Sequence, residues 1–219
     1  VDLPWIVSNM VGRDTSKQYT PEARPMGDVG LEGKHLSVPR RFSKGYLLED
    51  VTFDLRAGEI LGLYGLMGAG RTELFECLMG LQEYESGTVV LNGQTLNAKQ
   101  VRHRIEQGLM LVPEDRQREG LVQCLSVRNN MLLASLKSYL SGPALSRRKE
   151  TQAISRYVDE LSIKVANVDN LISSLSGGNQ QKVVVGKALL THPKVLLMDE
   201  PTRGIDVGAK QEIFDIVVQ

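Results

Sequence analysis

The sequence is short of the residues that disulfide-stapled, metal-binding or membrane-spanning proteins need. Its two cysteines, Cys77 and Cys124, stand far apart in 219 residues. With neither metal-ligand nor Cys-x-x-Cys spacing, they read as free structural thiols in a reducing compartment. The three histidines, His35, His103 and His192, are scattered, none beside a candidate nucleophile, so no chemistry is assigned to them. No apolar run approaches the ~20 residues of a membrane-spanning helix, and no charged-then-apolar leader opens the chain. The chain therefore reads as soluble, with any membrane role reached through a partner. Net charge is missing too, since 26 Lys and Arg balance 26 Asp and Glu. That removes the overall electrostatic footprint of a nucleic-acid or anionic-membrane binder. What remains, 42% hydrophobic residues over this length, suffices for one sizeable α/β domain with a buried core.

Glycine, by contrast, is concentrated where chemistry is expected. Residues 60–64 form an apolar run that predicts a buried strand, followed by Gly65, Gly68 and Gly70 and then a helix over 71–80. The spacing Gly65-Leu66-Met67-Gly68-Ala69-Gly70-Arg71-Thr72 fits a phosphate-cradling P-loop, with Arg71 where the pattern has lysine. Glycines let successive backbone N–H groups face one anion, and the helix N-terminus adds partial positive charge. Thr72 would offer its hydroxyl to Mg²⁺. A glycine turn without a ligand shares this local pattern, so the loop alone does not decide.

Along the chain, residues 1–30 carry little periodicity beyond 5–10 and read as a linker. Strands are expected at 31–38 and 47–55, a hairpin around Asn92-Gly93, and a further apolar strand at 109–112. Between 114 and 173 the pattern turns helical, at 127–136 and 149–161, with Ser141-Gly142-Pro143 as the break. Ser176 opens a helix to about residue 190, and 195–198 is an all-apolar strand of the kind buried on both faces of a parallel sheet. The helical pattern of 209–219 stops without a C-cap, which reads as a fragment of a longer polypeptide.

Residues 195–200, VLLMDE, place Asp199 and Glu200 at the carboxyl edge of a sheet, the edge where a P-loop presents phosphates. Asp199 would orient Mg²⁺ through its water shell and Glu200 would polarise the attacking water. A solvated acidic pair opening a turn before Pro201 is the plainer account of that dipeptide taken alone. Residues 175–182, LSGGNQQK, combine a hydroxyl with a glycine-rich helix start, which is an anion site.

LSGGNQQK resembles the signature motif of ATP-binding cassette (ABC) ATPases. Together with GLMGAGRTEL (65–74), VPEDRQREGL (112–121) and DEPTRGIDVGAK (199–210), it is similar to the second cassette of double-cassette bacterial monosaccharide importers of the ribose and galactose class. The resemblance covers residues 31–219, and IVSNMVGR (6–13) resembles the segment closing a first cassette. It implies an α/β, P-loop NTPase core of the ABC type with an antiparallel β layer and an inserted helical subdomain. The expected division is a linker over 1–30, a core over 31–113 and 174–219, and a helical subdomain over 114–173.

The resemblance also implies ATP and Mg²⁺ as ligands. Ser176, Gly177 and Gly178 would face the γ-phosphate of a nucleotide held by a partner cassette, and Asp206, in the turn after Glu200, counts among the nucleotide-binding residues, while the site on Arg71, Thr72, Asp199 and Glu200 holds its own. Phe42 stands at about the position of the stacking aromatic for adenine, with Tyr46 the other candidate. The implied partners are the first cassette of the same polypeptide or a second copy, an integral membrane sugar permease and, indirectly, a periplasmic sugar-binding protein, on the cytoplasmic side of the inner membrane; nucleic acid is not among them. Arg116, Arg118 and Glu119 read either as a charged face for the permease or as a solvated loop.

Two departures bear on activity. Arg71 is longer and planar where lysine is a compact point charge, and Glu114 puts a carboxylate where the Q-loop amide is expected. Misplacement by about 1 Å costs on the order of 10²-fold in rate, so turnover is expected to suffer more than binding. The alternative to a sugar-import ATPase is a catalytically weak, nucleotide-binding regulatory cassette.

Overall fold

The computed structural model describes residues 25–40, 43–96, 100–141 and 144–218. Two sheets and two hydrophobic clusters organise them. The first sheet is antiparallel, in the order β2-β1-β3-β4, from β1 (Val29–Pro39), β2 (Tyr46–Arg56), β3 (Ser86–Leu91) and β4 (Gln94–Thr95). The β3–β4 turn uses Asn92 and Gly93, both with positive φ (48° and 76°), the pairing that matches hairpin twist. The second sheet joins β5 (Leu109–Val112) to β8 (Val195–Met198) in parallel, Leu109 opposite Val195 and Val112 opposite Met198.

These two short strands explain their own composition. Side chains alternate across a strand. Leu109, Val195 and Leu197 therefore enter one cluster, with the antiparallel sheet and helix α1 (Arg71–Met79). Met110, Val112, Leu196 and Met198 enter the other. A strand with a core on each side has no polar face to spare, hence the unbroken apolar runs. Helix α1 buries Leu74, Cys77, Leu78 and Met79 in the first cluster. It ends at Gly80 (φ 75°), whose N–H reaches the Cys77 carbonyl, a glycine C-cap.

The second cluster collects α3 (Val127–Leu132), α4 (Arg147–Glu160), α5 (Gly177–Leu189) and Ile213 of α6 (Val207–Val218), α2 (Val101–Gln107) leading into β5. It runs without a break from residues of the 114–173 segment into α5. Helix α3 is shorter than the periodicity predicts, because the chain turns after Leu132 into a 3₁₀ segment at Leu136–Tyr139. The expected break near Gly142-Pro143 is flanked by a small ladder, β6 (Leu140–Ser141) with β7 (Ala144–Leu145), residues 142 and 143 lying outside the described residues. Serines start α3 and α4 as N-caps: Ser126 Oγ accepts from Asn129 N–H and Ser146 Oγ from Lys149 N–H.

One expectation is corrected. Residues 60–64 form no strand, and the run is exposed: Ile60 is 58% and Tyr64 99% accessible. Among the described residues no strand is hydrogen-bonded to it in a ladder. Apolar content without a hydrogen-bonding neighbour does not make a strand. The parallel part of the core is thus the β5–β8 pair. The expected linker, residues 1–30, lies outside the described residues up to residue 24, and Phe42 lies outside them as well.

The two cysteines separate cleanly. Cys77 is fully buried, and burial, with Glu76 and Glu73 adding to it, pushes its thiol up to about 11; Cys124 is exposed. Because the thiolate is the reactive form, maleimide at pH 7 should label the native protein once, at Cys124, and twice only after unfolding, as read by intact mass.

Candidate functional site

The carboxyl ends of β5 and β8 and the N-terminus of α1 meet, and five of the expected site residues meet with them. Asp199 follows β8 directly, its N–H bonded to the Val112 carbonyl at 2.9 Å, which extends the parallel ladder by one step. Glu114 follows β5 two residues on. Helix α1 begins after Gly70, at φ 89°, where a Cβ would stand 2.7 Å from Leu48 Cδ2 and 2.8 Å from the Leu47 carbonyl oxygen. Glycine is therefore required there by both backbone conformation and space. No side chain caps α1, so the N–H groups of its first turn are left for a ligand.

Thr72 Oγ1 donates to Asp199 Oδ2 at 2.7 Å and stands 3.4 Å from Glu114 Oε2. Asp199 is only 5% exposed, and a buried carboxylate facing a hydroxyl is a donor set open to a hard cation. Among the described residues no three His, Cys, Asp or Glu side chains gather closely enough to hold a metal by themselves. That fits Mg²⁺, which takes one or two protein carboxylates and completes its shell with water and phosphate oxygens. Arg71 Nη2 pairs with Glu200 Oε1 at 2.7 Å. Both side chains are partly open to solvent, so the pair contributes at most ~1 kcal/mol. Glu200 has φ 39°, a left-handed conformation that a non-glycine residue holds at a cost, as residues at functional sites do.

Sequence reasoning missed Arg203, which pairs with Glu114. It left Arg116 between a permease face and a solvated loop; the side chain is instead turned inward, where Nη1 donates to the Arg203 carbonyl at 2.7 Å and Nη2 to that of Gly204 at 3.0 Å. A charged face for a permease at Arg116 is thus corrected, the guanidinium being spent on the turn after Glu200; Arg118 and Glu119 are exposed. No local pattern signals these contacts, because both join segments far apart in sequence.

Ser176, Gly178 and Asp206 do not join this group. They line a separate cavity of about 280 Å³ with Asn179, Lys182 and Glu212. Asp206 Oδ1 accepts from Ala209 N–H at 2.9 Å and so caps α6. Lys182, almost wholly buried, pairs with Glu212 at 2.7 Å and donates to the Ser162 carbonyl. Of the glycine loop, Leu66 and Met67 project into solvent and Gly70 is buried.

A glycine loop ahead of a helix, with acidic residues at the ends of two parallel strands, defines a P-loop nucleoside-triphosphatase fold carrying an antiparallel β layer. The solved structures agree: a dimeric ATP-binding cassette in a post-hydrolysis state with ADP and Pi superposes with TM-score 0.73 at 20% identity, over 85% of this chain and 81% of that one. A nucleotide-free cassette from an ABC transporter gives 0.73 at 21%, over 87% and 76%. The ABC transporter family profile matches residues 48–203, and this chain belongs to that family.

Among curated relatives, the xylose import ATP-binding protein of Photobacterium profundum is 45% identical over 98% of this chain and 43% of its own length. The galactose/methyl galactoside import ATP-binding protein of Mannheimia succiniciproducens is 41% identical over 99% and 42%. The ribose import ATP-binding protein of Geobacillus kaustophilus is 39% identical over 97% and 42%. The chain spans less than half the length of these relatives.

The approach of α5 to α6 yields a stability test. A Cβ on Gly178 would stand 2.6 Å from the Ala209 Cβ, and neither atom can swing aside. Overpacking of this kind costs about 1–3 kcal/mol; Gly178→Ala should lower the urea midpoint accordingly with an unchanged m-value, while the same change at Gly62, with nothing within 4 Å, should be far milder.

Proposed function

We propose that this chain is an ATP-binding and ATP-hydrolysing cassette that powers import of a monosaccharide through a membrane permease. The observation that carries the reading is the convergence of Arg71, Thr72, Glu114, Asp199 and Glu200 at the free N-terminus of α1. The N–H groups of the loop and first turn would hold the phosphates, with Thr72 and Asp199 on Mg²⁺. Bound Mg²⁺ supplies charge neutralisation at the transferring phosphoryl group. Glu200 orients and polarises the water, for which its carboxylate must leave Arg71. Arg71 then turns to the phosphate oxygens, which its planar fork can grip.

Family membership and the printed names of the relatives support the transport part. The permease would sit against a cavity of about 890 Å³, lined by Leu81, Val101, Ile105 and Met110 and rimmed by Glu76 and Glu119. Burial, reinforced by Glu73, Glu119 and Asp199, raises the Glu76 carboxyl above its ordinary range; with Arg40 and Lys187 on the same lining, the feature that suits a partner is the apolar wall. Among the described residues no helix is long and apolar enough to cross a membrane. The sugar would arrive through a periplasmic binding protein, and the cassette would work at the cytoplasmic face. The separation of Ser176, Gly178 and Asp206 from the Thr72 group supports their completing the site of a partner cassette, in the same polypeptide or a second copy.

The Arg71–Glu200 pair favours a second reading, a slow or regulatory cassette whose nucleotide mainly drives closure. Single-turnover phosphate release in the assembled two-cassette ATPase separates the two. On the first reading Glu200→Gln removes this site's burst, an effect on the order of 10²-fold, while Mg-ATP binding persists. On the second, Glu200→Gln leaves total release unchanged and Ser176→Arg abolishes most of it.

A further inference from the structure

Among the described residues three α-helices begin with a serine, and one of the three treats it differently. Ser126 and Ser146 cap α3 and α4 with their hydroxyls. Ser176 stands at the N-cap position of α5 with φ −62° and ψ 157°, yet makes no cap bond. Its Oγ accepts instead from the side-chain amide of Asn179, Nδ2 to Oγ at 2.9 Å. The other end of that amide is held too: Lys164 N–H donates to Asn179 Oδ1 at 2.8 Å.

A backbone N–H can only donate, so the amide oxygen must face Lys164 and the NH₂ must face Ser176. Ser176 Oγ is then an acceptor toward Asn179, and its own proton, with no acceptor among the described residues, points elsewhere. The N–H groups of Gly177, Gly178 and Asn179 likewise have none, the first bond of the helix running from Gln180 N–H to the Ser176 carbonyl. Had the hydroxyl capped α5, it would have occupied one of those donors. Ser176 is exposed, and Arg116 lies on its other side, its Nη2 2.9 Å from where a Cβ on Gly177 would be.

We infer that Asn179 is a positioning residue, which clamps the Ser176 hydroxyl away from the capping geometry and presets it, with the free N–H groups of α5, as a donor to phosphate oxygens. The inference rests on the reading of Ser176 as part of a partner cassette's nucleotide site. A hydroxyl aimed before the anion arrives needs no reorganisation at the moment of reaction. The clamp also ties that aim to the turn at Ser162–Lys164 that follows α4, so a shift of this turn would turn the hydroxyl.

The informative change is Asn179→Asp. It keeps the size and the bond from Lys164 N–H but replaces the donor toward Ser176 by an acceptor, which draws the hydroxyl proton inward. In the assembled two-cassette ATPase, turnover should fall about 10²-fold, with KM for ATP within about threefold, since the partner's own loop holds the nucleotide. Ser176→Ala should also lower turnover, and Asn179→Ala should add nothing in the Ser176→Ala background. A structural role would multiply instead. Independently of activity, the Asn179 side-chain amide protons of the nucleotide-free protein should exchange slowly by ¹⁵N NMR and faster in Ser176→Ala.

Wild-type turnover by Asn179→Asp, multiplicative losses in the double variant, or freely exchanging amide protons would overturn the clamp while leaving the partner-site reading intact. A silent Ser176→Ala would sink that reading and the inference together. Should Asn179→Ala fail to fold, Asn179→Asp and the exchange rates decide.

Discussion

The chemistry of this chain depends on a four-step parallel ladder. Where β5 and β8 run side by side, their last residues are level, and the chain leaves both at the same edge. That places Asp199 and Glu114 together at one edge, where Thr72 Oγ1 reaches both. The ladder is held by two cores, one on each face, so a change in either cluster reaches the site through strand position. Helix α1 completes the arrangement from the other direction, its start fixed by the close approach of Gly70 to Leu47 and Leu48.

Charge at the site is arranged around substitution of partners. Arg71 and Glu200 hold each other, Arg203 holds Glu114, and Thr72 holds Asp199. Each of the three acidic groups is thus satisfied by a residue that a phosphate or cation would compete for. Such an arrangement lowers the cost of keeping three carboxylates close together, and its exposed members cost little to separate. Across the loop, Arg71 reaches Glu200 through Nη2 at 2.7 Å.

Much of this was legible in the residues. Period-two and all-apolar runs located β1, β2, β5 and β8, Asn92-Gly93 marked the hairpin, and the serine and glycine boundaries marked α1 and α5. These signals are local, and local physics produced them. The grouping of Thr72 with Asp199 followed from a topological rule about sheet edges. Three things were not legible. Residues 60–64 have strand composition, but pairing is a property of two segments, and no described strand pairs with this one. Arg116 and Arg203 pair across long sequence separations, where charge content names no partner. Asn179 lay inside the signature stretch, but a clamp made of a backbone N–H and an amide flip has no sequence period. The nucleotide roles given to Ser176 and Asp206 came from resemblance, and the structure adds their common cavity.

The exposed run at 60–66 carries its own consequence. Ile60, Leu61, Leu63, Tyr64 and Leu66 present an oily ribbon without a charged residue, and among the described residues no strand is paired with it. That is the chemistry by which one chain templates another into a ladder. Handled at high concentration, the chain therefore has a built-in route to self-association, and it runs through the segment that leads into its own phosphate loop.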